Sequence, residues 1–271
     1  MADSRRGFGV AAAISPEVIR AAAQLAESLG YHSFWVNDTP NGDGLEALAQ
    51  AASVTTRITL GVGVIPLSRR PADEIVRQLR TMDGSAGDLR LPLDRLWLGV
   101  GSGAGGPGAL RRTREGLEML NRDAHTTVFV SALGPRMAHL AGEMAEGVLF
   151  NWLTPEFAPT ANDWVREGAL KANRDVPILA SFVRAALGEA SANRLAQEAN
   201  RYGGIPQYSD HFKRMGVEAV ETGIRGETAD EIQQALARWD GVLDEVVVRS
   251  ITPNDTLEET LALVRAAAPA G

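Results

Sequence analysis

Ala132-Leu133-Gly134-Pro135-Arg136 closes an apolar, β-rich run and opens a helix-period segment. Free N–H groups at a helix N-terminus bind anions, Gly134 permits close backbone approach, and Arg136 adds a fixed positive charge. The pattern suits a phosphate cradle. An ordinary strand-to-helix turn with Pro at the first helical position reads the same residues. Gly61-Val62-Gly63-Val64-Ile65-Pro66 sets two glycines into a run otherwise built for a buried strand. Glycine there marks either a bulge beneath a close-lying ligand or a barrel layer that needs small side chains. Leu98-Gly99-Val100-Gly101-Ser102-Gly103 resembles a phosphate-binding loop. It is neither a dinucleotide fingerprint nor a P-loop: no helix opens directly, no acid follows about 20 residues on, and no Gly-Lys-Ser/Thr is present. A strand with small interior residues is the other reading.

Other candidates are single residues at the ends of apolar runs. Asp38 suits a hydrogen bond to a ring N–H, or the cap of the next loop. Asn151 and Trp152 end the sixth run. Arg184 and Arg249 end the seventh and eighth, where they suit an anionic cofactor tail or substrate, or pairing with rim acids. Tyr202 and Tyr208 flank a break, Gly203-Gly204-Ile205-Pro206, in a long helical region and suit either a lid or plain packing. The four histidines, His32, His125, His139 and His211, have no metal-ligand spacing, and no metal is expected. Cysteine is absent, which removes disulfides and thiolate chemistry. Lys171 and Lys213 are the only lysines and neither ends a run, which argues against a Schiff-base enzyme such as an aldolase. No catalytic residue is assigned. A chain without a nucleophile or proton-shuttle motif suits redox chemistry carried by a cofactor.

These residues are positioned by a repeating alternation of strand and helix. The apolar runs are Gly7–Ala13, Ser33–Asp38, Ile58–Ile65, Arg95–Gly103, Thr127–Ala132, Val148–Leu153, Pro177–Val183 and Glu245–Arg249. Helix-period segments follow each. The first opens with Ser15 as cap, Pro16 at the first position and Glu17 in the first turn, and stops at Gly30. Several runs are continuously apolar, as strands buried on both faces are. Eight strand–helix units in 271 residues predict one (β/α)₈ barrel spanning residues 1–271, with an open doubly wound sheet as the alternative. In such a barrel the active site lies at the C-terminal strand ends. The net charge of −7 and the lack of a basic cluster argue against nucleic-acid or anionic-membrane partners. No stretch reaches about 18 apolar residues, and no signal-peptide pattern follows Met1, so a cytoplasmic protein with a small-molecule substrate is expected.

Taken in order, the segments resemble the luciferase-like monooxygenase superfamily. Leu60 to Pro71 is similar to its third-strand motif, and Asp94 to Gly103 to its fourth. Val128 to Met137, with Ala141-Gly142 and Ala145-Glu146-Gly147 behind it, resembles the fifth strand and phosphate loop. Phe34 to Asp38 and Asp244 to Ile251 resemble the second and final strands. The resemblance implies a homodimeric barrel binding F420 or FMN, with F420 preferred because the Ser131–Met137 and Phe150–Glu156 segments are nearer that branch. It implies hydride transfer between the deazaflavin C5 and a small organic substrate. FMN-dependent monooxygenation and a non-catalytic flavin-binding barrel are the alternatives. It further implies a non-prolyl cis peptide at Gly63-Val64, phosphate contacts at Ala132 to Pro135, and ring or ribityl contacts at Asp38, Ser102 and Gly103. Thr39 and Ala104 stand where sugar-phosphate dehydrogenases of the superfamily carry His and Glu, so that chemistry is not carried over. The chain also lacks the long insertion between the fourth and fifth strands.

Overall fold

The computed structural model describes residues 5–83, 90–103 and 105–270. Among them run strands β1 (Arg5–Ala11), β2 (Ser33–Asn37), β3 (Thr59–Pro66), β4 (Leu96–Gly101) and β5 (Thr127–Ala132). β6 (Gly147–Asn151), β7 (Ile178–Leu187), β8 (Ile224–Gly226) and β9 (Glu245–Ile251) follow. All pairings are parallel. β1 pairs with β9, β9 with β7, and β7 with β6, so eight strands close into a (β/α)₈ barrel and the open-sheet alternative falls. β8 lies outside the closure, paired only with the last residues of β7. It was not foreseen, since three residues between two helices leave no readable period.

The helices are α1 (Pro16–Ser28), α2 (Gly44–Ala52), α3 (Ala72–Asp83), α4 (Ala109–Asp123) and α5 (Pro135–Met144). α6 (Ala158–Lys171), α7 (Glu189–Gly203), α8 (Pro206–Met215), α9 (Ala229–Ala237) and α10 (Leu257–Ala266) complete the set. Their starts obey the capping signals. The Ser15 hydroxyl accepts from the Val18 N–H at 3.3 Å, and Gly30 takes the left-handed conformation (φ 80°) that ends α1's turn. Thr256 and Glu259 form a reciprocal capping box on α10.

Strand alternation divides the core in two. Outward side chains such as Phe8, Phe34, Val36, Val130 and Val248 pack against the helices. Inward ones, Trp35, Trp97, Phe129, Leu149, Phe182 and Val247, form a separate cluster inside the barrel. Trp35 is its centre, with ring centroids 5.6 Å from Phe129, 5.7 Å from Phe182 and 5.9 Å from Trp97. The indole N–H donates to Ser33 Oγ at 2.7 Å. Ser33 in turn donates to the fully buried Glu245 carboxylate, which also meets His32 Nδ1 at 2.7 Å. One polar chain thus satisfies the Trp35 indole and the Ser33 hydroxyl, which the aromatic packing would otherwise strand.

This packing leaves no room beside Trp35. A Cβ on Gly61 would land within the indole. Gly61→Ala is therefore expected to destabilise the fold by about 1–3 kcal/mol through overpacking. Equilibrium urea unfolding measures this; an unchanged midpoint would mean that the Trp35 site yields freely.

Candidate active site at the barrel mouth

Above the aromatic cluster the inward residues become small or polar, and a cavity of about 1340 Å³ opens at the C-terminal strand ends. It exceeds the roughly 300–1,000 Å³ of a typical small-ligand pocket. Asn37, Gly63, Gly101, Ser131, Asn151, Arg184 and Arg249 all face it. Each lies two residues beyond an inward core position on its own strand, or continues that alternation, because side chains on a strand repeat every second residue.

Alternation also corrects two expectations at this rim. Asp38 lies one residue past Asn37, and its carboxylate is fully buried in a tie between loops. It accepts from the Gly44 N–H at 2.7 Å, from Arg70 at 3.0 Å and from Arg69. Asp38 still borders the cavity, but its oxygens are taken; the polar groups with capacity left are on Asn37, whose amide donates to the Gly63 carbonyl at 2.5 Å, and Thr39. Asn37 Oδ1 and Thr39 Oγ1 are buried and have no partner among the described residues. Likewise Ala132 is 2% exposed and packs against the helices, whereas Ser131 faces the cavity. Counting in twos from Trp35 and Phe129 would have found both Asn37 and Ser131.

The peptide between Gly63 and Val64 is cis, where the resemblance implied it, and the β3–β4 register shifts between Val62 and Ile65. Gly63 looks across the barrel at β7: a Cβ there would come within 2.6 Å of the Phe182 ring. Val64 is left facing the cavity. Ser102 and Gly103 line it from the β4 loop, where Arg112 holds the Ser102 carbonyl at 3.1 Å. Ala104 lies outside the described residues.

At the end of β5, Leu133, Gly134, Pro135 and Arg136 line the cavity. Gly134 is extended (φ −150°, ψ 171°), Pro135 is the first residue of α5, and no side chain caps the helix. The first intrahelical bond runs from Ala138 N–H to Gly134 at 3.1 Å, so the Arg136 and Met137 N–H groups point outward unpaired by the helix. Arg214, on α8, was not foreseen. It donates to the Leu133 carbonyl at 3.2 Å and its guanidinium lies 3.6 Å from where a Gly134 Cβ would be. A helix N-terminus with two arginines beside it has the chemistry to receive an anion.

The opposite wall comes from β7, β9 and α7. β7 and β9 run on to Leu187 and Ile251, so Arg184 and Arg249 sit within strands and not at their ends; they are register partners. Arg184 pairs with Glu198 of α7 at 2.7 Å and donates to Asn151 Oδ1 at 2.7 Å. Its guanidinium stacks 3.5 Å over the Trp152 ring. Trp152 itself does not line the cavity. Its positive φ of 55° turns the indole behind the strand ends, 2% exposed, among Leu195, Ala199 and Phe212. It supports Arg184 from below. Buried His211 donates from Nε2 to the Trp152 carbonyl at 3.0 Å, and burial lowers its pKa, which favours the neutral ring. Tyr202 and Tyr208 meet edge to face at 4.7 Å on this wall. Burial and the neighbouring Tyr202 push the Tyr208 phenol up to about 12, so it keeps its proton.

The charge of the lining is one-sided. Arg69, Arg136, Arg184, Arg201, Arg214 and Arg249 face two carboxylates, Asp38 and Glu198, both already paired. In a chain of net charge −7 this concentrates positive potential in one cavity.

Comparison with known proteins agrees with this architecture. Residues 2–111 match the luciferase-like monooxygenase family model. A 5,10-methylenetetrahydromethanopterin reductase from Methanolobus tindarius is 27% identical over 62% of this chain, and the match spans 61% of that protein's length. Among solved structures, an F420-dependent secondary alcohol dehydrogenase with an F420–acetone adduct superposes with a TM-score of 0.75. It is 14% identical, with 98% of this chain and 100% of that one covered. The FMN-bound oxygenating component of 3,6-diketocamphane monooxygenase from Pseudomonas putida gives 0.66 at 14% identity, with 98% of each chain covered. The resemblance read from the sequence is borne out, and so is the barrel.

Glu198 holds the arginine wall together. Burial raises its pKa, but Arg184 and Arg249 more than offset this and the net shift is downward from 4.5. A carboxylate with a depressed folded-state pKa stabilises the fold above its unfolded value, and that contribution disappears as pH falls through the folded value. Glu198→Gln should cost about 3 kcal/mol at pH 7 by leaving buried arginine charge unpaired. The gap from wild type should narrow as pH drops below 4.5. Denaturant melts across pH measure both; a gap that does not vary with pH would show that the ion pair contributes nothing.

Proposed function

We propose that this chain, an oxidoreductase of the luciferase-like kind, holds a deazaflavin of the F420 type against the β3 bulge and uses it on a small organic substrate. The observation that carries the choice of cofactor is the arginine excess. F420 bears a phosphodiester and glutamyl carboxylates and so brings more negative charge than FMN, which favours it in a cavity with four more arginines than carboxylates. The size of the cavity supports a cofactor and a substrate together.

The residues present suit such a group. The uncapped N–H groups of Arg136 and Met137, with Arg136 and Arg214 beside them, would receive the phosphate. The unpartnered Asn37 Oδ1 and Thr39 Oγ1 would take up ring N–H and carbonyl groups. Val64 would support the ring's underside, and Ser102, Gly103 and Ser131 would border it. Bound there, a deazaflavin supplies a hydride donor or acceptor at its C5. The protein's part is orientation and the exclusion of water. The Trp35 cluster closes the barrel below, and Tyr208, kept protonated, would stand on the wall as a hydrogen-bond donor to a ligand.

Titration calorimetry tests this reading. F420 is expected to bind at micromolar affinity or tighter and FMN at least about tenfold more weakly. A Cβ at Gly134 meets only the Arg214 guanidinium at 3.6 Å and the backbone is extended, so Gly134→Phe should fold normally. Its ring would fill the cradle and weaken F420 binding by about tenfold or more. Binding of FMN alone would make the chain a flavin monooxygenase. An unaltered affinity in Gly134→Phe would remove the phosphate assignment.

A further inference from the structure

The arginine wall holds a charge that the fold does not neutralise. Arg184 and Arg249 lie side by side in register, both inward, on the strands facing the β3 bulge. On their side of the cavity the lining carboxylate is Glu198, and Arg184 takes it at 2.7 Å. Asp255, on the β9 loop, is taken by Arg194 at 2.7 Å. No carboxylate among the described residues lies within 4.0 Å of Arg249, whose guanidinium donates only to the carbonyl of the adjacent Ser250. Arg184, Arg249 and, on α7, Arg201 face one carboxylate, which leaves the wall with an excess of positive charge. Burial pulls the Arg249 pKa down, and the neighbouring Arg184 pulls the same way, but an arginine stays protonated at neutral pH.

We infer that Arg249, with Arg184 and Asn151 beside it, seats a carboxylate, and that the substrate of this cavity carries one. The inference rests on the cavity being the redox site proposed above. The guanidinium fork matches a planar carboxylate with two parallel N–H bonds. Arg184 is not free to wander: Glu198, Asn151 and the Trp152 ring fix it from three sides, so the donors are set before a ligand arrives. This seat is separate from the cradle at α5, which is built by β5 and α8 and has its own arginines.

A carboxylate could reach Arg249 from a substrate or from the glutamyl tail of F420, and calorimetry with benzoate and its neutral isostere benzamide separates the two. Wild-type protein is expected to bind benzoate at least about tenfold better than benzamide, both alone and when saturated with F420. Arg249→Gln should abolish the preference and Arg249→Lys should keep part of it. Equal binding of benzoate and benzamide by wild type overturns the inference without recourse to any variant. Loss of benzoate binding on saturation with F420 overturns the substrate assignment and gives the seat to the cofactor tail. An Arg249-dependent preference for benzoate in a protein that binds no F420 leaves the carboxylate seat standing and removes the cofactor reading instead.

Discussion

The Trp35 indole, wedged across the barrel axis, is the contact on which the rest of the molecule depends. Its three aromatic neighbours come from β4, β5 and β7, so one side chain links strands on opposite sides of the closure. Strands elsewhere must give way to it: Gly61 has no side chain because the indole occupies that space, and Gly147 yields in the same way to Phe129. The result is a dry plug with a single satisfied polar chain, Trp35–Ser33–Glu245–His32, beneath it. A barrel plugged from below can open only at the top. The position of the cavity therefore follows from the packing of the core, and its chemistry from whichever residues continue the inward faces past the plug.

That continuation explains what could be read from the sequence. Eight apolar runs, the Ser15-Pro16 helix start, the glycine-interrupted third strand and the Gly134-Pro135 turn are local signals, and each corresponds to a feature of the fold. The face on which a residue lies is also local, but it depends on parity: one step along a strand exchanges cavity for core. Ala132 fell on the wrong side of that step; Asp38 borders the cavity with its carboxylate already paired, and Asn37 and Ser131 face it. Trp152 follows the same parity, one step past the inward Asn151, and its positive φ sets the indole against α7 and α8.

The tyrosines of α7 and α8 were marked by the break between the helices, but their charged contributions had no sequence signal. Glu198 and Arg214 sit in helical stretches that read as ordinary solvated faces. Their partners, Arg184 and the Leu133 carbonyl, are 14 and 81 residues away. Only closure of the barrel brings them together. It also sorts charge. An acidic chain sets six of its arginines around one opening, with the α5 N-terminus on the β5 side and a stacked, ion-paired wall on the β7 and β9 side. Separate anion-binding groups on two sides of one cavity are what a cofactor and a charged substrate need if they are to meet without exchanging places.

A crystal structure of the protein grown with F420 tests this account most directly. The account predicts ring density against Val64, with the phosphate on the Arg136 and Met137 N–H groups beside Arg214, and with the space before Arg249 left for a second ligand. Density that places the phosphate against Arg184 and Arg249, with the α5 N-terminus facing solvent, would contradict it.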